Sequence, residues 1–203
     1  MDSIVVADAN LGVLRINYAT GTYEHITTND ESNYLAGLVL ARDSGDPIFT
    51  DQRARAVVRV DRHTGEKRTI THEGNLSLPC GVINGPGAYV IVADYARKVV
   101  KIHLDGRKDN QEILASGSPF GAPVGLAMLD DRLLLVADRG SPGAERRPEC
   151  DQARTDHYDA SLDECGKLVR VDLDTGVTKV VAIGGELAHS EGSSLWEPHP
   201  DCR

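Results

Sequence analysis

Residues 89–106 read YVIVADYARKVVKIHLDG, and this stretch decides the fold. An apolar run ends in Ala93-Asp94, a second run places Lys101 between apolar neighbours, and the stretch closes on Asp105-Gly106. Alternation of apolar and polar residues with a period of two is typical of a half-buried β-strand. The glycine suits a hairpin, because hairpin turns need a residue that adopts positive φ. The stretch therefore predicts paired antiparallel strands.

The same pattern occurs four times, with its repeats about 43 residues apart. The aspartates that end the apolar runs are Asp8, Asp51, Asp94 and Asp138. A further strand-like segment precedes each later run and carries a glycine, at Gly37, Gly81 and Gly125. Four strands per ~40–45 residues is the period of propeller blades. We therefore predict an all-β fold, a β-propeller of about four visible blades of four antiparallel strands. An irregular β-sandwich with accidental spacing is the alternative.

Residues 1–203 are expected to form a single β-propeller domain, with a polar insertion at about 139–166 and a C-terminal segment at about 187–203. The chain opens at what would be the second strand of a blade, so the first blade lacks an inner strand. Two arrangements follow from this. Residues 192–196 could pair with the first blade and close the ring, or the chain could be an arc of a larger propeller that other blades or a second copy complete.

Composition excludes several classes of partner. The chain has 22 Lys and Arg against 31 Asp and Glu, a formal net charge of −9, which repels phosphate backbones and makes nucleic acid an unexpected partner. No apolar run approaches the ~20 residues of a membrane span, so membrane insertion is not expected. There is no CxxC pair to suggest structural zinc.

The insertion contains two of the four cysteines, Cys150 and Cys165. We expect them to be joined, which would order the loop and favour an extracellular or secretory compartment. A reduced, mobile loop is the alternative. The acidic residues around His157, namely Asp151, Asp156, Asp159 and Asp163, are expected to be solvated. With little apolar content, the insertion should project from the blade top or rim.

Several motifs resemble a known superfamily. Residues 4–9, IVVADA, with 11–15, LGVLR, are similar to strictosidine-synthase-like proteins, as are residues 49–51, FTD, and 78–82, LPCGV. The chain thus resembles the six-bladed β-propellers of the NHL-repeat, gluconolactonase-like (SMP-30) and strictosidine-synthase-like superfamily, over roughly residues 4–138. The resemblance implies propeller architecture first, since these motifs build blades and do not specify an activity.

The resemblance also identifies where a metal site would lie. The calcium-dependent hydrolases of this superfamily carry Asn before the glycine of their inner strands. The matching residues here are Ala36, Cys80 and Val124, and none has a side-chain oxygen. No metal or cofactor is therefore expected, and the catalytic residues are unknown. Calcium is expected as a cofactor only under the alternative, in which the chain is a lactonase or esterase.

The four recurrent aspartates, Asp8, Asp51, Asp94 and Asp138, are interpreted as turn formers, because a residue repeated once per blade usually accepts hydrogen bonds from its own turn. Function is then predicted as a non-catalytic binding or protein-interaction propeller. Its partner would be a protein or glycan held by the blade-top loops and the insertion. The alternative is a calcium-dependent lactonase or esterase, or a strictosidine-synthase-like enzyme.

Overall fold

In the computed structural model, the described residues are 3–28, 34–107, 109–141, 148–184 and Leu187. The strands of the first two blades are β1 Ser3–Asp8, β2 Gly12–Asn17, β3 Tyr23–Thr28, β4 Leu35–Leu40, β5 Pro47–Asp51, β6 Ala56–Val60 and β7 Lys67–His72. Those of the next two are β8 Pro79–Asn84, β9 Tyr89–Asp94, β10 Lys98–His103, β11 Gln111–Ser116, β12 Pro123–Met128, β13 Leu133–Asp138, β14 Lys167–Asp172 and β15 Thr178–Ile183. Helical structure in these ranges is confined to α1, Pro148–Asp151, and single 3-10 turns.

These strands form four antiparallel sheets that correspond to the predicted blades. Their orders are β1-β2-β3, β4-β5-β6-β7, β8-β9-β10-β11 and β12-β13-β14-β15. The all-β propeller prediction is therefore confirmed. Within the described residues the first sheet has three strands, which agrees with the missing inner strand expected there. The described chain is an arc of four successive blades.

Alternation along each strand divides its side chains between two cores. Ile91 and Ala93 of β9 pack towards blade four, whereas Val90 and Val92 pack towards blade two. All four are completely buried. A strand enclosed on both faces therefore appears in the sequence as a continuous apolar run, because each of its faces meets a neighbouring sheet. A third core joins blades one and two through Val13 and Phe49.

The turns that follow the third strand of each blade are built alike. A glycine with positive φ lies at Gly21, Gly65, Gly106 and Gly176, as the turn pairs predicted. Just before it, the side chains of Asn17, Asp61 and Asp172 each accept backbone N–H bonds from the residues two and three positions later. Local hydrogen bonds of this kind replace ladder bonds where the chain reverses.

One face of the arc collects the loops that carry the turn aspartates, and it is called the upper face below. These loops join the second and third strands of each four-stranded blade, and the equivalent loop of blade one joins β1 and β2. The segments that enter the inner strands lie on the same face, because Leu35 is paired opposite Asp51, and Pro79 opposite Asp94. The insertion of blade four also joins a second strand to a third, so it belongs to the upper face.

The proposed closing segment at 192–196 lies outside the described residues, as does most of the C-terminal segment at 187–203. The short helices within the described ranges fall well below the length and hydrophobicity of a membrane-crossing helix.

Candidate functional site

The inner strands of blades two, three and four line an open groove of about 550 Å³. Its walls are built by residues 34–38 of blade two, residues 80–83 of blade three and residues 124–126 of blade four. The residues that match the metal-ligand positions of the hydrolases, Ala36, Cys80 and Val124, all belong to these walls. The groove walls are therefore largely aliphatic side chains and backbone.

Glycine allows the walls to approach one another. A Cβ on Gly37 would lie 2.5 Å from the carbonyl oxygen of Cys80, and one on Gly81 would lie 2.5 Å from that of Val124. Such contacts are too short for any real Cβ, so any larger residue would push neighbouring inner strands apart. The glycines thus set the width of the groove.

The rim of the groove carries the residue that follows each turn aspartate in blades two to four. These residues are Gln52, Tyr95 and Arg139. Their backbone N–H groups donate to the residue that precedes each inner strand: Gln52 to Tyr34 at 2.9 Å, Tyr95 to Leu78 at 3.0 Å, and Arg139 to Ala122 at 3.0 Å. Sequence reasoning missed these three residues. Their signal was the position directly after the repeated aspartate, where the side-chain type changes from blade to blade.

The turn aspartates themselves are absent from the lining of the groove. Asp51, Asp94 and Asp138 are buried, and each accepts N–H bonds both from its own turn and from the segment that enters its inner strand. Asp8 accepts from Asn10 and Leu11 of its own turn, at 2.8 and 2.9 Å, and these are its partners among the residues that the structure describes. These carboxylates join the upper loops of each blade to its inner strand.

Cys80 lies in the wall of the groove as a buried free thiol. Burial raises the pKa of this thiol, while a hydrogen bond from Nε2 of Gln52, 3.2 Å from Sγ, acts in the opposite direction. The protonated thiol therefore predominates near neutral pH, and it is a weak nucleophile. Within the described ranges, no three His, Cys, Asp or Glu side chains lie together as metal ligands.

The insertion is attached to the upper face by covalent and polar contacts. A disulfide joins Cys150 and Cys165, and both residues are buried. Lys167, at the start of β14, is fully buried, and its Nζ donates to the carbonyl oxygen of Asp163 at 2.7 Å. It also lies 3.4 Å from Oδ1 of Asp138. Burial lowers the pKa of Lys167, and the Asp138 carboxylate opposes that effect.

Asp163 corrects the expectation that the acidic residues of the insertion are solvated. It is only 5% exposed and accepts hydrogen bonds from Arg97, from Ser118 and from the hydroxyl of Tyr158. The pKa of Tyr158 is raised, mainly because the hydroxyl is buried and secondly because it is hydrogen-bonded to Asp163. Asp163 therefore links the insertion to blade three, so the described part of the insertion does not project freely. Arg97 and Ser118 lie 66 and 45 residues earlier in the chain, beyond the reach of local pattern.

No family model and no curated protein matches the chain. Among solved structures, it is similar to virginiamycin B lyase from Staphylococcus aureus, with a TM-score of 0.68, 16% identity and coverage of 96% of this chain and 57% of that chain. A nidogen/laminin complex gives 0.64 and 16%, covering 89% and 61%, and a streptogramin B lyase gives 0.63 and 15%, covering 94% and 57%. The chain spans about three-fifths of these neighbours. At such identities the likeness shows the β-propeller fold alone.

Proposed function

We propose that this chain is a non-catalytic binding propeller that holds a protein or glycan in the groove lined by the inner strands of blades two to four, beside the disulfide-linked insertion. The observation that carries the proposal is the character of the groove. Its walls are aliphatic side chains and exposed backbone, its rim presents Gln52, Tyr95 and Arg139, and its one cysteine has a raised pKa. Ligand sites are commonly apolar concavities with a few polar groups that fix orientation.

The rim residues suit binding for separate physical reasons. Tyrosine offers a large contact area and loses little side-chain entropy, and arginine offers planar donors, so both are enriched among residues that dominate binding energy. Gln52 adds an amide with both donor and acceptor. The backbone of each of the three residues is hydrogen-bonded to the segment before an inner strand, and pre-ordering of this kind lowers the entropic cost of binding.

The position and the cross-links of the insertion favour a macromolecular partner. It lies on the same face as the groove rim, and its disulfide and the bonds to Asp163 hold it in place before a partner arrives. A pre-ordered loop beside a groove extends the surface available to a protein or glycan. Solved neighbours include a nidogen/laminin complex and a mitotic checkpoint complex, so propellers of this shape occur in protein assemblies.

The proposal is tested by screening the chain against arrays of peptides and glycans and measuring the affinity of each hit. We expect Tyr95→Ala and Arg139→Ala each to weaken a groove ligand by about tenfold or more, since side chains of this type often contribute over 1 kcal/mol. Tyr23→Ala is the matched control, because Tyr23 is 59% exposed on the outer strand β3. Hits whose affinity is unchanged in both rim variants would refute groove binding.

The enzymatic alternative is tested on the same protein with lactone and ester substrates, with calcium and with chelator. The superfamily resemblance motivates this alternative, and calcium would be its cofactor. We expect no turnover in either condition. Hydrolysis that chelator abolishes and added calcium restores would overturn the non-catalytic proposal.

A further inference from the structure

The sequence contains one tripeptide of the form that secretory compartments glycosylate on asparagine. Residues 75–77 read Asn-Leu-Ser, and no other asparagine of the chain is followed two positions later by serine or threonine. The middle residue of this motif must not be proline, and here it is leucine. A motif this short also occurs by chance, so its surroundings in the structure decide whether it can accept a glycan.

The tripeptide lies in a turn at the protein surface. It belongs to the segment that joins β7 to β8 on the upper face, where the peptide N–H of Leu76 donates to the carbonyl oxygen of Glu73 at 2.9 Å. Leu76 is 2% exposed and packs in the core between blades two and three, whereas Asn75 is partly exposed and Ser77 is exposed. The buried leucine therefore holds the turn in place, and the two residues that the motif requires remain accessible.

The fold does not use the side-chain amide of Asn75. Among the residues that the structure describes, neither Oδ1 nor Nδ2 of Asn75 makes a hydrogen bond, although its backbone N–H donates to Oε1 of Gln111 at 2.6 Å. Asn84 and Asn110 differ, because their Nδ2 atoms donate to backbone carbonyl oxygens at 2.9 and 3.0 Å. A sugar on either of those atoms would disturb a bond of the fold, whereas a sugar on Nδ2 of Asn75 would disturb none.

The disulfide of the insertion is a second, independent feature that suits this motif. Disulfides form and persist in oxidising compartments, such as the lumen of the endoplasmic reticulum, and are rare in the cytosol. The bond between Cys150 and Cys165 is buried on the same face as the tripeptide. A chain that forms this bond therefore matures in a compartment of the kind where asparagine is glycosylated.

We propose that Asn75 is an N-glycosylation site of this protein. The donor is an oligosaccharide linked to a lipid through pyrophosphate. A bond forms between Nδ2 of Asn75 and the anomeric carbon of the sugar, while the bond from that carbon to the pyrophosphate oxygen breaks. The lipid pyrophosphate leaves with the bonding electron pair and takes up the proton that Nδ2 loses. The hydroxyl of Ser77 is the second element of the motif that the transferase recognises. The proposal does not depend on what the groove binds.

The modification is tested on the full chain, produced behind a cleavable signal peptide in cultured animal cells. Its intact mass is compared before and after treatment with a peptide N-glycosidase. Protein retained in the cells and protein in the medium are both measured, because the glycan is added as the chain enters the compartment and before it is exported. We expect the enzyme to remove one glycan and to leave aspartate in place of Asn75, which peptide mass mapping identifies.

Four variants make the test specific. Asn75→Gln and Ser77→Ala should each lose the glycan, whereas Ser77→Thr should keep it, because threonine also supplies the hydroxyl. Asn10→Gln is the matched control and should keep the glycan, since Asn10 is an exposed asparagine outside the motif. The glycosylated parent and Asn75→Gln should melt at the same temperature, because no hydrogen bond of the described fold involves the amide of Asn75.

Four results would overturn the proposal. They are a parent chain whose mass the glycosidase does not change, a glycan that persists in Asn75→Gln, equal glycosylation of the parent and Ser77→Ala, and a glycosylated parent that melts below Asn75→Gln. None of these results bears on the rim variants of the groove, so failure here is separable from failure of the binding function.

Discussion

Replacing Gly81 by Ala should weaken the contact between the inner strands of blades three and four. The new Cβ would lie 2.5 Å from the carbonyl oxygen of Val124 and 3.4 Å from Cα of Gly125. The first distance is shorter than real Cβ contacts, and both neighbouring atoms belong to the backbone of a strand that is paired in its own sheet. Relief therefore requires the shift of a whole strand. Overpacking costs about 1–3 kcal/mol, and we expect about 2 kcal/mol because no side chain can rotate away.

The free energy of unfolding is measured by urea denaturation, and the melting temperature by circular dichroism. For a chain of this length, a loss of about 2 kcal/mol lowers Tm by about 4–8 °C. Gly184→Ala is the matched control, because a Cβ there meets nothing within 4 Å and its φ is not in the positive range. The control should remain within about 0.5 kcal/mol of the parent. A Gly81→Ala protein as stable as this control would refute the argument that glycine sets the strand spacing.

Three further predictions follow from buried and titrating groups. Asp138→Ala should lower the free energy of urea unfolding by about 3–5 kcal/mol, because it leaves the buried Lys167 without its countercharge. Asp8→Ala should lower that free energy by clearly less, and equal losses in the two variants would contradict this. A hydrogen bond from Arg107 lowers the pKa of Asp105 to about 2. The ionised carboxylate stabilises the fold above its unfolded pKa, so this stabilisation should be lost as pH falls from about 4 to about 2. The difference in Tm between the parent and Asp105→Asn should shrink over that interval. In a Cys202→Ser background, Cys80 should alkylate about tenfold more slowly in the folded chain than in urea, and equal rates would show that folding neither buries the thiol nor raises its pKa.

Much of the fold could be predicted because a propeller repeats a local pattern. Apolar runs such as residues 90–93 and the turn glycines recur once per blade, and the information they carry is local in sequence. A strand buried on both faces needs apolar residues at every position, so it is visible without any knowledge of its neighbours. The three-stranded first sheet of the described residues could be predicted as well, because the repeat begins there at the strand that ends in Asp8.

The candidate site was only partly predictable. The pre-glycine residues Ala36, Cys80 and Val124 could be located, because they follow the repeat. Rim residues such as Tyr95 and Arg139 were not identified, since variable side chains at a repeated position form no pattern. Asp163 was assigned to solvent, because nothing local to it indicates that Arg97 and Ser118 lie beside it.

By itself, the sequence determined the period, the strands and the turns of this protein, because each depends on residues within a few positions of one another. Only the tertiary structure decided which side chains line the groove, that Lys167 is fully buried beside Asp138, and that the insertion is tied to blade three. Those outcomes depend on distances between residues far apart in the chain. Burial then changes the chemistry of the groups brought together, because removing a charge from water must be balanced by partners that local sequence does not reveal.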